Sequence, residues 1–112
     1  MSSTRQSKIE RQLQRDLGEI FQQATNSLLK GKMVTVTAVR VSPDLSVARA
    51  YLSLFPVENK QEFINYINKE LEGQIRFELG KRVRHQLRII PELKFFIDDT
   101  LDYIENLDNL LK

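Results

Sequence analysis

The sequence contains no cysteine, so disulfides, thiolate metal centres and cysteine nucleophiles are excluded together. It contains no tryptophan and a single histidine, His85, which leaves no basis for a His-based metal site or a Ser/His/Asp relay. Glycine and proline are sparse, at four and three residues, and read as punctuation rather than as linkers or low-complexity tracts. No apolar run approaches the roughly 18 residues of a membrane span, and the opening residues MSSTRQSKIERQ lack the apolar stretch of a secretory signal. No Walker-type or dinucleotide-binding glycine loop occurs, which argues against nucleotide hydrolysis. These features lead us to expect a cytoplasmic protein that needs no cofactor and no membrane.

What remains is an ordinary globular composition of 112 residues, 41% hydrophobic and 29% charged, which fits one domain spanning residues 1–112. The net charge of +2 conceals an uneven distribution. From Asp98 onward, Asp98, Asp99, Asp102, Glu105 and Asp108 face only Lys112, a local balance of −4. Two other segments carry the compensating excess. Arg5, Lys8, Arg11 and Arg15 stand against Glu10 alone, and Arg76, Lys81, Arg82, Arg84 and Arg88 against Glu78 alone. Clustering of this kind suits a polyanion, whereas a plain solvated helix face explains it without any ligand.

Apolar spacing predicts the elements. Ile9, Leu13, Leu17, Ile20, Phe21, Ala24 and Leu28 recur at helical intervals, and Gly31 is a natural stop. On that helix Arg5, Lys8, Arg11 and Arg15 lie within about 60° of one another's centre, on the side opposite the apolar arc. Val34 to Ser42 and Leu45 to Phe55 read as a hairpin turning at Ser42-Pro43-Asp44. Asn59 with Glu62 forms a capping signal for a second helix carrying Phe63, Ile64, Ile67 and Leu71. Gly73 breaks the period, and Ile75, Leu79, Val83 and Leu87 begin a third helix after a kink. Arg88 to Asp98 supplies a strand beginning near Pro91, and residues 100–112 a short C-terminal helix with Leu101, Ile104, Leu107 and Leu111. The expected architecture is an α+β sandwich in the order α-β-β-α-kink-α-β plus that last helix. It has a three-stranded sheet with helices on one face.

The runs VRVSPDLSVARAYLS (39–53) and RIIPELKFFID (88–98), in this order and separated by a helix pair, resemble the ribosome-binding factor A family of bacteria. The resemblance extends over a core of about residues 8–100 and implies a type II KH-like domain. It implies a protein that binds the free small (30S) ribosomal subunit late in its maturation and assists processing of the 5′ end of 16S ribosomal RNA. Support of growth in the cold and release by an assembly GTPase belong to the same implication. That family uses an Ala-x-Gly kink in place of the G-x-x-G loop of ordinary KH domains. The matching triplet here is Leu71-Glu72-Gly73, in which the glycine agrees and leucine replaces alanine. The segment after Thr100 is less basic than is usual in the family.

Without a G-x-x-G loop, charge must supply what backbone amides cannot. The candidate RNA- or ribosome-binding residues are therefore Arg5, Lys8, Arg11, Arg15, Arg76, Lys81, Arg82, Arg84 and Arg88. About six phosphate contacts would give a log-log salt slope of roughly −4 to −5. Phe77 could stack on a base or tuck against a neighbour, Arg88 could contact RNA or pair with Glu92, and His85 reads as a surface or helix-end residue. Two other functions compete. Asp98, Asp99 and Asp102 could hold Mg²⁺ in an RNA-processing nuclease, although helix capping explains them more simply. Alternatively, the basic faces could meet an acidic protein in a protein-interaction module. We expect a monomer and no catalysis.

Overall fold

The computed structural model describes residues 4–98 apart from 56. The predicted C-terminal helix, and with it Asp99 and Asp102, lies outside the described residues. A long helix α1 (Thr4–Ala24) leads into the hairpin β1 (Met33–Val41) and β2 (Val47–Phe55). Helix α2 (Lys60–Tyr66) follows, then a π-helical turn (Ile67–Leu71), helix α3 (Glu72–Val83) and strand β3 (Glu92–Ile97). The sheet order is β1-β2-β3, antiparallel between β1 and β2 and parallel between β2 and β3. This is the expected α+β arrangement of a type II KH-like domain.

The apolar stripe of α1 buries Leu13, Leu17 and Phe21 completely, and the inward positions Val39, Ala48, Ala50, Leu52, Leu93 and Phe95 supply the sheet side of the core. Phe21 meets Phe95 edge to face, with ring centroids 5.6 Å apart. Ile64, Ile67, Leu71, Ile75, Leu79 and Val83 seal the core from the helix pair. No helix among the described residues is long and apolar enough to cross a membrane.

Three boundaries differ from expectation, each for a local reason. Helix α1 stops at Ala24 instead of running to Gly31. There Thr25 Oγ1 donates to the Phe21 carbonyl and Ser27 Oγ to the Ala24 carbonyl, short polar side chains competing for groups the helix would use. The chain then turns through Lys30 at φ 55° and Gly31 at φ 83°, burying Leu29 rather than Leu28. Helix α3 ends at Val83, so Leu87 is buried from the following turn, and Arg84 and Arg88 lie beyond the helix. Pro91, fully buried just ahead, commits that segment to an extended path. The predicted break at Gly73 takes the form of the π-helical turn ending at Leu71, with Gly73 inside the first turn of α3.

The remaining local signals translate directly. Asn59 Oδ1 accepts from the Glu62 amide at 3.0 Å and caps α2. In the hairpin the Leu45 amide donates to the Ser42 carbonyl at 2.9 Å, closing a turn with Pro43 at its second position and Leu45 at φ 62°. Asp44 organises it: its Oδ1 accepts from Ser42 Oγ, the Ser46 amide and Ser46 Oγ at 2.7, 3.1 and 2.8 Å. These bonds to the charged form lower the Asp44 carboxyl to a pKa of about 2.

Candidate nucleic-acid interface

Both free edges of the sheet are closed by side chains from the helices. Along β1, Glu10 Oε2 accepts from the Val41 amide at 2.9 Å, while Gln6 and Gln14 donate to the Val41, Val36 and Thr37 carbonyls. Along β3, Asn68 pairs with Phe95, Glu72 accepts from the Leu93 amide, and Arg76 donates to the carbonyls of Ile90 and Pro91. Edge closure of this kind blocks pairing with another strand and fixes the helices against the sheet. It also decides which cations remain available.

On α1, Arg5, Lys8, Arg11 and Arg15 are all exposed, opposite the buried stripe. Arg15 donates to Gln12 Oε1 at 2.7 Å, and none of the four forms an ion pair with a described residue. Arg11 and Arg15 line a groove between α1 and β1, whereas Lys8 lines a second groove between α1 and the end of α3. The helix therefore presents cations along its outer ridge and into both flanking grooves.

The second cluster divides. Arg76, Phe77, Lys81 and Arg84 line one shallow groove on the outer side of α3. Within it Lys81 Nζ sits 4.7 Å above the Phe77 ring and 3.3 Å from Glu78, and Phe77 is 65% exposed rather than tucked away. Arg84 is exposed and makes no ion pair among the described residues. Arg88 behaves likewise in the loop before β3 and forms no pair with Glu92. By contrast Arg76 is held by the two loop carbonyls, and Arg82 pairs with Glu19 at 2.5 Å and reaches Gln23 at 3.4 Å, bracing α3 against α1. His85 is exposed in the turn after α3. Leu71 is buried and Gly73 exposed, with no atom within 4 Å of where a Cβ would stand.

Of the acidic trio, the described residues include only Asp98, whose Oδ2 accepts from Thr37 Oγ1. Sequence reasoning missed a further set of cations, Arg40, Arg49 and Lys94, which stand side by side in neighbouring strands. The signal was present in the alternation of each strand, but only register shows that the three are neighbours.

Comparison with known proteins shows the family and fold that the chain resembles. The sequence pattern described as ribosome-binding factor A matches residues 5–111. The ribosome-binding factor A of Christiangramia forsetii is 44% identical over 98% of this chain and 84% of its own length. The crystal structure of the Thermus thermophilus ribosome-binding factor A superposes with a TM-score of 0.68 at 29% identity, covering 82% of this chain and 94% of that one. Coordinates of the Thermus thermophilus factor fitted into an electron-microscopy map of its complex with the 30S subunit give a TM-score of 0.63 at 32% identity. They cover 81% of this chain and 92% of that one.

Proposed function

The chain belongs to the ribosome-binding factor A family, and from that premise we propose that it binds the immature small ribosomal subunit and promotes its late maturation, including processing of the 5′ end of 16S ribosomal RNA, without catalysing a reaction. The observation that carries this reading is the ridge of α1. Its four cations face solvent opposite the core, and no carboxylate among the described residues neutralises them. Arg5, Lys8, Arg11, Arg15, Lys81, Arg84 and Arg88 would contact phosphates, while Arg76 and Arg82 add positive potential from fixed positions. Phosphate contacts position a protein on RNA without reading sequence, so selectivity would come from the folded shape of the subunit.

The mechanism is one of occupancy. A ligand that prefers one conformation of its target shifts the population toward it by its differential affinity, and no bond need break. Tight occupancy then requires removal, the role expected of an assembly GTPase. The protein would act as a monomer in the cytoplasm.

Sedimentation tests the proposal. Incubated with precursor and mature 30S subunits, the protein should pellet with the precursor particles in preference, and cells lacking it should accumulate 16S RNA with an unprocessed 5′ end. Equal absence from both particles would refute it. Cleavage of naked precursor RNA by the purified protein would refute the non-catalytic mechanism.

A further inference from the structure

The face of the sheet turned away from the helices carries a row of three cations. Arg40 of β1 registers with Arg49 of β2, and Arg49 with Lys94 of β3. Like charges directly opposite one another across strands are destabilising, so this row opposes folding unless a counter-charge neutralises it. Among the described residues nothing does. Arg40 Nη1 donates to the Val39 carbonyl at 3.0 Å, and no carboxylate among the described residues pairs with Arg40, Arg49 or Lys94. Glu92, on the same face of β3, registers with Val47 and also makes no ion pair there.

The next row along the same face is aromatic. Tyr51 registers with Phe96, their rings stacked with centroids 5.6 Å apart and planes at 29°. Phe96 is 40% exposed, and the third position of the row is Ala38, too small to cover its neighbour. Rows on one face lie about 7 Å apart and strands about 4.8 Å apart, so the rings sit beside the cations at roughly nucleotide scale.

We propose that this open sheet face is a platform for an unpaired segment of ribosomal RNA, with phosphates on Arg40, Arg49 and Lys94 and a base stacked on the Tyr51–Phe96 pair. A duplex hides its base faces and would leave the rings unused, and an acidic peptide would use the cations without needing a flat apolar surface. Single-stranded RNA satisfies both requirements at once. The inference rests on the family reading that the chain engages the small subunit, but it uses a surface separate from the ridge of α1 and the groove of α3.

The test uses the full chain and an unstructured 12-nucleotide RNA carrying 2-aminopurine, together with 30S sedimentation. Wild type should bind the oligonucleotide and quench its fluorescence. Tyr51→Leu with Phe96→Leu should abolish quenching and weaken binding roughly tenfold. Arg49→Thr should keep the quenching at saturation, flatten the log-log salt slope by about 0.7, and raise the melting temperature as the row loses its central charge. Variants that bind and quench like wild type would overturn the platform while leaving 30S binding intact. If Arg49→Thr lost 30S binding while wild type ignored the oligonucleotide, the face would meet a ribosomal protein, and the RNA assignment would be wrong. Failure of wild type to sediment with subunits would instead strike the family-based function.

Discussion

Asn68 holds Phe95 by both of its backbone groups: Nδ2 donates to the Phe95 carbonyl and the Phe95 amide donates to Oδ1, each at 2.8 Å. One side-chain amide thus reproduces the pair of bonds that a further strand would make. Asn68 reaches this position from the π-helical turn between α2 and α3, so the break in the helix is also what closes the outer edge of β3.

Removing that amide should be costly for a residue on the surface. Asn68→Ala leaves two strand groups without their partner and should destabilise the protein by about 1–3 kcal/mol in chemical denaturation. Asn68→Asp keeps the acceptor for the Phe95 amide and loses the donor, so its effect should fall between. A change under about 0.3 kcal/mol in the alanine variant would show that water replaces the amide without penalty.

Arg82 and Lys81 are adjacent in sequence and unequal in structure. Arg82 joins α3 to Glu19 and Gln23 of α1 with only 27% of its side chain exposed, whereas the Lys81–Glu78 pair is more than half exposed on both sides. Arg82→Ala should therefore cost about 0.5–1 kcal/mol and Lys81→Ala less than about 0.5. Equal losses in thermal denaturation would contradict the bracing role. For the same reason Lys81 and Arg84, not Arg82, are the positions at which charge reversal reports on binding.

These contrasts mark where the sequence was legible. The stripe of α1, the hairpin around Pro43 and the Asn59 cap are written in residues a few positions apart, and each formed where spacing and turn chemistry place it. The Arg82–Glu19 pair, the Glu10–Val41 bond and the Asn68–Phe95 clasp join residues 63, 31 and 27 positions apart, and periodicity carries no information about them. The cations of the open face were hidden differently. Arg40, Arg49 and Lys94 are isolated in the chain, and only strand register turns them into a row.

Gly73 separates a folding role from a contact role. Its backbone is helical, and an added Cβ meets nothing within 4 Å. Gly73→Ala should therefore raise stability by about 0.5–1 kcal/mol through helix propensity and the unfolded chain. If the bare backbone there lets RNA approach closely, the same variant should bind 30S subunits more weakly. A loss of stability would mean that the junction of the π-helical turn and α3 needs glycine for its shape.

Asp44 provides a pH signature of the hairpin. Its carboxyl titrates at about 2 in the folded protein, below the ordinary value of 3.8, because Ser42 and Ser46 bond the charged form. The folded-state value is depressed, so the stabilisation is complete above the ordinary carboxylate range and fades as pH falls from about 4 through about 2. Carbon-detected NMR should show a midpoint near 2 for Asp44, moving upward in Ser42→Ala and Ser46→Ala. An unchanged midpoint in both variants would contradict the assigned cause.

The most direct test of the docking account is the affinity of 30S precursor particles for a protein in which the ridge of α1 is inverted, Lys8→Glu with Arg11→Glu and Arg15→Glu. All three side chains are exposed and none pairs with a described carboxylate, so the melting temperature should stay near that of wild type. Binding should weaken at least about tenfold, and the salt slope should flatten from its starting value of roughly −4 to −5. A correctly folded variant that binds the particles as tightly as wild type, with the same salt dependence, would contradict it.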